Sequence, residues 1–315
     1  MIVRFGLGEL PGVLADVGIA RPLVIASERW RALDVAHVAW SSEVPSVHVD
    51  VPGDADGILA IGGGSAIDTG KHTSAESGLP VVHVPTTYSG AEWTTFYGVR
   101  SPDRRMRGGG AGAHPVAIVY DVDLTLDLPR DQTAGTAMNA LAHCAEALYA
   151  AGHRPEGDEQ ALLGAPLIAD ALPRVLADLS DRDARENLLR GAMHAGHALG
   201  IAGLALAHAM AQALGGAYGL PHGAMNALCL APGLAFNAKL VPEAVERFGD
   251  AVGGDAVERS RELARLGGFE RLRDFGIPEE DLPALAAAAA QRGGNQANPR
   301  PASPAEVLEL FRRIY

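Results

Sequence analysis

From residue 191 to residue 238 the chain runs for 48 residues without Asp, Glu, Lys or Arg. A stretch that is apolar all round is buried, either in protein or in lipid. Composition decides between the two. Ala and Gly dominate the stretch, and it carries His194, His197, His208, Gln212 and His222. Ala and Gly gain little from lipid, and imidazoles are costly there. The stretch therefore predicts a helix buried inside protein. The chain is long enough to hide one. Its 315 residues, 48% apolar and 20% charged, suit one large domain or two ordinary ones. A net charge of −12 argues against DNA or anionic lipid as a partner, so a small-molecule partner is expected, with no nucleic acid and no membrane. Two cysteines, Cys144 and Cys229, cannot build a disulfide scaffold and suit a reducing cytoplasm. The N-terminal MIVRFGLGELPG lacks the basic flank and apolar block of a signal peptide.

The chain changes character near residue 125. Before it, short Val- and Ile-rich runs alternate with Gly, Pro and Asp. PLVIA (22–26), VPSVHVDV (44–51), GILAI (57–61), PVVHV (80–84) and VAIVY (116–120) read as strands of a mostly parallel sheet. After it the pattern is helical and rich in Ala. The boundaries drawn are an α/β domain over 1–125 and an all-α domain over 126–315. Near the C-terminus Ser303, Pro304 and Glu306 spell the start of a final helix: N-cap, N1 and N3 of a capping box.

The first chemical signal is ILAIGGGSAIDTGK (58–71). A strand runs into three glycines and a helix follows, with Ser65 as the expected N-cap and Asp68 three residues on. Such a turn lets backbone approach a phosphate, and the free N–H groups of the new helix favour an anion. It is neither a Walker A loop, since Ser65 and His72 stand at required positions, nor a G-x-G-x-x-G fingerprint, since Ile67 replaces the third glycine. On its own it is equally a bare strand-to-helix turn. The next strand ends in VPTTYSGAEWT (84–94), which offers Thr86, Thr87, Tyr88 and Ser89 where open α/β sheets bind ligands.

The second signal is a set of histidines. Asn139 and His143 are four apart and share a helix face. His208 lies in the uncharged stretch and His222 follows in GLPHG. Single histidines on apolar faces are usually core residues, and His153, His194 and His197 are read as structural or surface residues. Three from separate segments beside an Asn point to a site.

GGGSAIDTGK, PTTYSGAEWT, IVYDVDLTLDLP, MNALAHCAEALYA, LAHAMAQALGGAYGLPHGAMNALCL and ANPRP occur here in the order that resembles iron-containing (group III) alcohol dehydrogenases, over roughly residues 55–315. PTTYSGAE, VYDVDLTLDLP and MNALAHCAEALYA are most similar to the maleylacetate reductase branch. The resemblance implies a dehydroquinate synthase-like architecture: an N-terminal dinucleotide-binding α/β domain, an all-α C-terminal domain and an active site in the cleft between. It implies that Gly62, Gly63, Gly64 and Ser65 hold the pyrophosphate of NADH or NADPH, with Asp68 alongside, and that Thr86, Thr87 and Ser89 line the path to the nicotinamide. It implies a divalent metal, Fe²⁺ or Zn²⁺, on an Asp and three His. His143, His208 and His222 match the His positions and are the catalytic candidates, while Asn139 falls where the Asp belongs. An Asn carbonyl brings no charge, which lowers metal affinity. Gln212 replaces a further His, and only residues 52–56 stand where the family inserts a helix, so the cofactor domain is shortened.

The function implied is an NAD(P)H-dependent oxidoreductase, cytoplasmic and homodimeric, reducing an enone or carbonyl in a small carboxylated substrate. A metal-dependent alcohol or aldehyde dehydrogenase, and a non-redox or catalytically silent member reusing the cleft, are the alternatives. Arg105 and Arg107 in RRMRGGGAGAH are candidates for a positive patch facing the carboxylates.

Overall fold

The structure is a computed structural model that describes residues 1–100 and 106–315. The chain divides into two compact units. One comprises Met1–Thr87 and Ala91–Asp127, the other Tyr88–Gly90 and Leu128–Tyr315.

The first unit contains β1 (Ile2–Phe5), α1 (Leu10–Asp16), β2 (Pro22–Ile25), β3 (Ala39–Ser41), β4 (Gly57–Gly62), α2 (Gly64–Ser77), β5 (Val81–Pro85), β6 (Tyr97–Arg100), β7 (Met106–Gly110) and β8 (Pro115–Tyr120). Among the described residues six strands form a parallel sheet in the order β1-β8-β5-β4-β2-β3, and β6 and β7 pair as a hairpin. Both sheet faces are covered, which explains the unbroken apolar runs. Leu59, Ile61, Val82 and Val84 pack with Leu10, Val13 and Leu14 of α1. Ile58, Ala60 and Val81 pack on the other side with Ile67 of α2.

Three expectations are corrected here. Residues 44–51 form no strand; the strand beside β2 is the shorter β3. Their backbone groups are taken by α2 instead: the Ser46 N–H donates to Thr69 Oγ1 at 3.2 Å, and the Val47 carbonyl lies 3.1 Å from His72 Nε2. The alternating Val47 and Val51 stay exposed. Ser65 is not the N-cap of α2. That position is Gly63, which has no side chain to cap with, since the helix starts at Gly64; Asp68, the expected box partner, is paired with Lys71 at 2.7 Å. The uncharged stretch is not one helix but the end of one and two more, broken at Gly203 and Gly219, both at positive φ.

The second unit is helical: α3 (Arg130–Ala147), α4 (Pro155–Ala177), α5 (Arg182–Ala202), α6 (Leu206–Tyr218), α7 (His222–Asn237), α8 (Pro242–Val252), α9 (Ala256–Leu266), α10 (Leu282–Ala290), α11 (Gly293–Gln296) and α12 (Pro304–Arg313). α3 is its central element, buried on nearly every side. α4 is long and apolar enough to cross a membrane by length and composition alone, yet half of that window is buried inside the unit. α12 opens with the expected capping box of Ser303 and Glu306.

Candidate active site

The glycine turn lies in the first unit. β4 ends at Gly62, whose φ of +147° disfavours a side chain, and a Cβ there would stand 2.8 Å from that of Ala66. Gly63 faces Thr87: a Cβ on it would lie 2.9 Å from Thr87 Cγ2 and 3.4 Å from Oγ1. The Thr86 N–H donates to the Gly62 carbonyl at 3.0 Å, which fixes the next strand end beside the turn. Thr87 Oγ1 is buried and has no hydrogen-bond partner. Ser65 is exposed at the first turn of α2. Asp68 points elsewhere, to Lys71 and, at 3.3 Å, to the N–H of Gly98.

Beneath this turn lies a buried polar cluster that the sequence reading missed. Lys71 is 1% exposed. Its Nζ donates to the carbonyls of Ala91 and Phe96 and to Thr94 Oγ1, all within 2.9 Å. Trp93 Nε1 donates to Tyr120 Oη at 2.7 Å, and Tyr120 donates to Glu92 Oε1 at 2.8 Å. Burial raises the Glu92 carboxyl to about 7, against the hydrogen bond from Tyr120 and the charge of Lys71. Burial, helped by Lys71, lowers His83 to about 3; its Nδ1 donates to the Glu92 carbonyl at 3.1 Å. The signal was present: Lys71 and Glu92 are lone charges beside apolar strands.

The imidazoles meet in the second unit. Gly135 of α3 and Gly223 of α7 make the crossing possible, since a Cβ on Gly223 would fall 2.4 Å from the Gly135 carbonyl. One turn onward, Asn139 and His143 on α3 reach His222 and Asn226 on α7. The His143 and His208 rings stack at 4.7 Å, and those of His208 and His222 are 5.7 Å apart. Asn139 Oδ1 accepts from Asn226 Nδ2 at 2.7 Å and lies 3.3 Å from His208 Nε2; its Nδ2 donates to the Ser89 carbonyl at 3.0 Å. Asn226 Nδ2 is also 3.0 Å from His222 Nε2. Burial holds His143 well below the usual imidazole range, with the neighbouring His208 and His222 acting the same way. His143 Nδ1 and Ser89 Oγ are buried without a partner. Gly90, at φ +73°, follows Ser89, and a Cβ on it would be 3.4 Å from His143 Nδ1, so the segment that carries Ser89 passes beside that ring. Fully buried Arg185 holds this segment through Tyr88, donating to its hydroxyl at 3.2 Å.

Asn226 was also missed, although it stands four residues after His222, the spacing of Asn139 and His143. His194 pairs with Gln160 at 2.8 Å, away from this group. Arg105 and the side chain of Arg107 lie outside the described residues.

Profiles of known families match both parts. Residues 133–315 match the C-terminal part of the Fe-containing alcohol dehydrogenase family, and residues 47–122 match the iron-containing alcohol dehydrogenase profile. The chain belongs to the iron-containing alcohol dehydrogenase family. Within it the chain falls in the maleylacetate reductase branch. It is 36% identical to maleylacetate reductase from Burkholderia cepacia over 99% of this chain and 95% of that protein. It is 37% identical to the Sphingobium indicum maleylacetate reductase over 82% of this chain and 74% of that protein. The crystal structure of maleylacetate reductase from Rhizobium sp. strain MTP-10005 superposes with a TM-score of 0.88 at 29% identity, covering 100% and 95% of the two chains.

The family implies a nicotinamide dinucleotide and a metal ion, and the residues answer the two differently. The glycine turn fits a dinucleotide diphosphate: its helix start has no side-chain cap, and an unpartnered Thr87 hydroxyl lies beside it. The imidazole group does not fit a divalent metal. It has no carboxylate ligand, and an N–H donor, Asn226 Nδ2, already satisfies Asn139 Oδ1 and His222 Nε2. Turning that amide over would set two carbonyl oxygens against each other. No set of three His, Cys, Asp or Glu side chains with metal-binding geometry occurs among the described residues.

Proposed function

We propose that the chain reduces a small enone carrying carboxylates, of the maleylacetate type, with NADH or NADPH, and that it stabilises the developing charge without a metal. The observation that carries this is the pair of buried, unpartnered polar atoms, Ser89 Oγ and His143 Nδ1, beside a neutral imidazole and amide array. Buried polar atoms left unsatisfied call for a polar ligand.

Gly62, Gly63, Gly64 and Ser65 would hold the diphosphate, with Thr86, Thr87 and Ser89 along the remainder of the dinucleotide. Asp68 serves this turn indirectly, by fixing Lys71 and the Gly98 backbone. The bound dinucleotide supplies a hydride. As hydride adds to the carbon–carbon double bond, negative charge gathers on the conjugated oxygen. Donors set in place before the reaction stabilise such charge without reorganising. His143, kept neutral by burial, retains one ring N–H as a donor, and Asn226 fixes the Asn139 and His222 side chains beside it. His208 and His222 orient the substrate oxygen. The metal-dependent dehydrogenase alternative lacks its carboxylate ligand here. The expected cytoplasmic setting is supported by the two free, buried thiols of Cys144 and Cys229, and the homodimer rests on the family.

Titration with NADH and NADPH tests the reading. Saturable binding of one of them below about 1 mM, in the range ordinary for enzymes, is expected. No binding of either would leave the silent-member alternative. Asn139→Asp sharpens the metal question: adding a carboxylate should raise Zn²⁺ affinity at least about tenfold by calorimetry.

A further inference from the structure

α3 is buried along most of its length, and it carries Glu146 with no exposed surface. A carboxylate in such a place needs its oxygens filled by donors. One element fills them. Oε2 accepts the N–H of Ala205 at 2.8 Å and the ring Nδ1–H of His208 at 2.7 Å; Oε1 accepts the backbone N–H of His208 at 3.1 Å. α6 begins at Leu206, and its N-cap residue, Ala205, makes no side-chain cap. Glu146 therefore caps α6 from a different helix, satisfying N–H groups that a Ser or Asp at position 205 would normally serve. The same carboxylate takes a ring proton of the third residue in that helix.

Capping alone would not require the ring. The Nδ1 contact is the shortest of the three, and it decides which nitrogen the imidazole presents. With Nδ1–H held by Glu146, Nε2 is the atom that points to Asn139, 3.3 Å away. We propose that Glu146 is a positioning residue for the reductase site: by holding Nδ1–H it fixes the tautomer and rotation of the His208 ring, so that Nε2 is the ring atom turned toward Asn139 and the rest of the site. The inference rests on the reading that His208 belongs to that site. A carboxylate behind an imidazole plays this orienting part in many enzymes.

The test combines a spectrum with kinetics. In protein labelled with ¹⁵N at histidine, the His208 ring is assigned by the signals lost in His208→Gln. Wild type should show the Nδ1–H tautomer, and Glu146→Gln should shift the ring toward the Nε2–H form. Turnover by Glu146→Gln should fall about 10- to 100-fold, while the KM for NADH stays within about twofold, because the dinucleotide is held by the glycine turn. Ala205→Ser, added to Glu146→Gln, supplies a local cap. It should restore melting temperature without restoring kcat. Recovery of kcat together with stability would reduce Glu146 to a helix cap and overturn the proposal. An Nε2–H tautomer in the wild-type spectrum would overturn it as well, even if no variant folds. Loss of all NADH-dependent turnover in wild type, with the Nδ1–H tautomer intact, would count against the reductase reading and leave the role of Glu146 in orienting the ring standing.

Discussion

The molecule has two buried polar clusters, and they are built on opposite principles. The one in the α/β unit is built round a charge, Lys71, whose Nζ is fully engaged, although Glu92 Oε2 and His83 Nε2 beside it have no partner. Lys71 has four acceptors within 2.9 Å, among them the Asp68 carboxylate, and together with Tyr120 and Glu92 it ties residues 91–98 to α2 and β8. The one in the helical unit is made mostly of neutral rings and amides, and it leaves Ser89 Oγ and His143 Nδ1 unanswered. A buried charge met by several acceptors ties its segments together, whereas donors left over in a group of rings and amides can meet a ligand. The comparison teaches where to look for structure and where to look for chemistry. Changes in the first cluster should cost stability and spare the chemical step. Changes in the second should do the reverse.

The largest effect is expected from Lys71→Met. Removing one partner of a buried ion pair costs about 3–5 kcal/mol, and unfolding by denaturant should show a loss of that size, confined by hydrogen exchange to the α/β unit. A loss under about 1 kcal/mol would mean the cluster is not what holds the 91–98 segment.

His143→Phe comes next and tests the other side. Deleting a preorganised donor costs about 10²–10³ in kcat, near 3–4 kcal/mol, and the similar shape of Phe should leave the melting temperature almost unchanged. An active His143→Phe would break the contrast between the clusters.

Glu92→Gln reads the first cluster through pH. The Glu92 pKa is raised from 4.5 to about 7 by burial, so the folded state favours the protonated acid. Its contribution is fully present below pH 4.5 and is lost as pH rises through 7, a swing of up to about 3 kcal/mol. His83, lowered to about 3, works in the other direction: its contribution is present above pH 6.5 and lost as pH falls through 3. Glu92→Gln should therefore remove the decline in melting temperature between pH 5 and 8 while keeping the acid-side loss. An unchanged pH profile would show that Glu92 is not buried as an acid. The smallest effect belongs to Ser303→Ala, which removes the α12 cap for about 1 kcal/mol and should touch neither cluster.

Much of this arrangement was legible in the sequence, and the misses have physical causes. β2, β4, β5 and β8 announced themselves because a sheet covered on both faces demands continuous apolar runs. Asn139, His143, His208 and His222 were found because they are polar residues in segments with no other reason to carry them. Residues 44–51 misled because alternation describes a surface, and here the side chains of α2, not a neighbouring strand, take the hydrogen bonds. Ser65 misled because the helix starts earlier than the glycines suggest, at Gly64, which leaves Ser65 inside its first turn. Glu146, Glu92 and Asn226 escaped because their roles depend on what another helix or strand brings to them. A lone carboxylate in MNALAHCAEALYA was the one visible hint.

The central claim is that an imidazole donor, rather than a metal ion, meets the charge that hydride addition creates. Its most direct test is the steady-state rate of NADH or NADPH oxidation with maleylacetate, measured on enzyme stripped by a strong chelator and assayed in its presence, with metal content determined on the same sample. The account predicts full turnover at a metal content far below one ion per chain. Turnover that disappears on stripping and returns on adding Fe²⁺ or Zn²⁺ would contradict it.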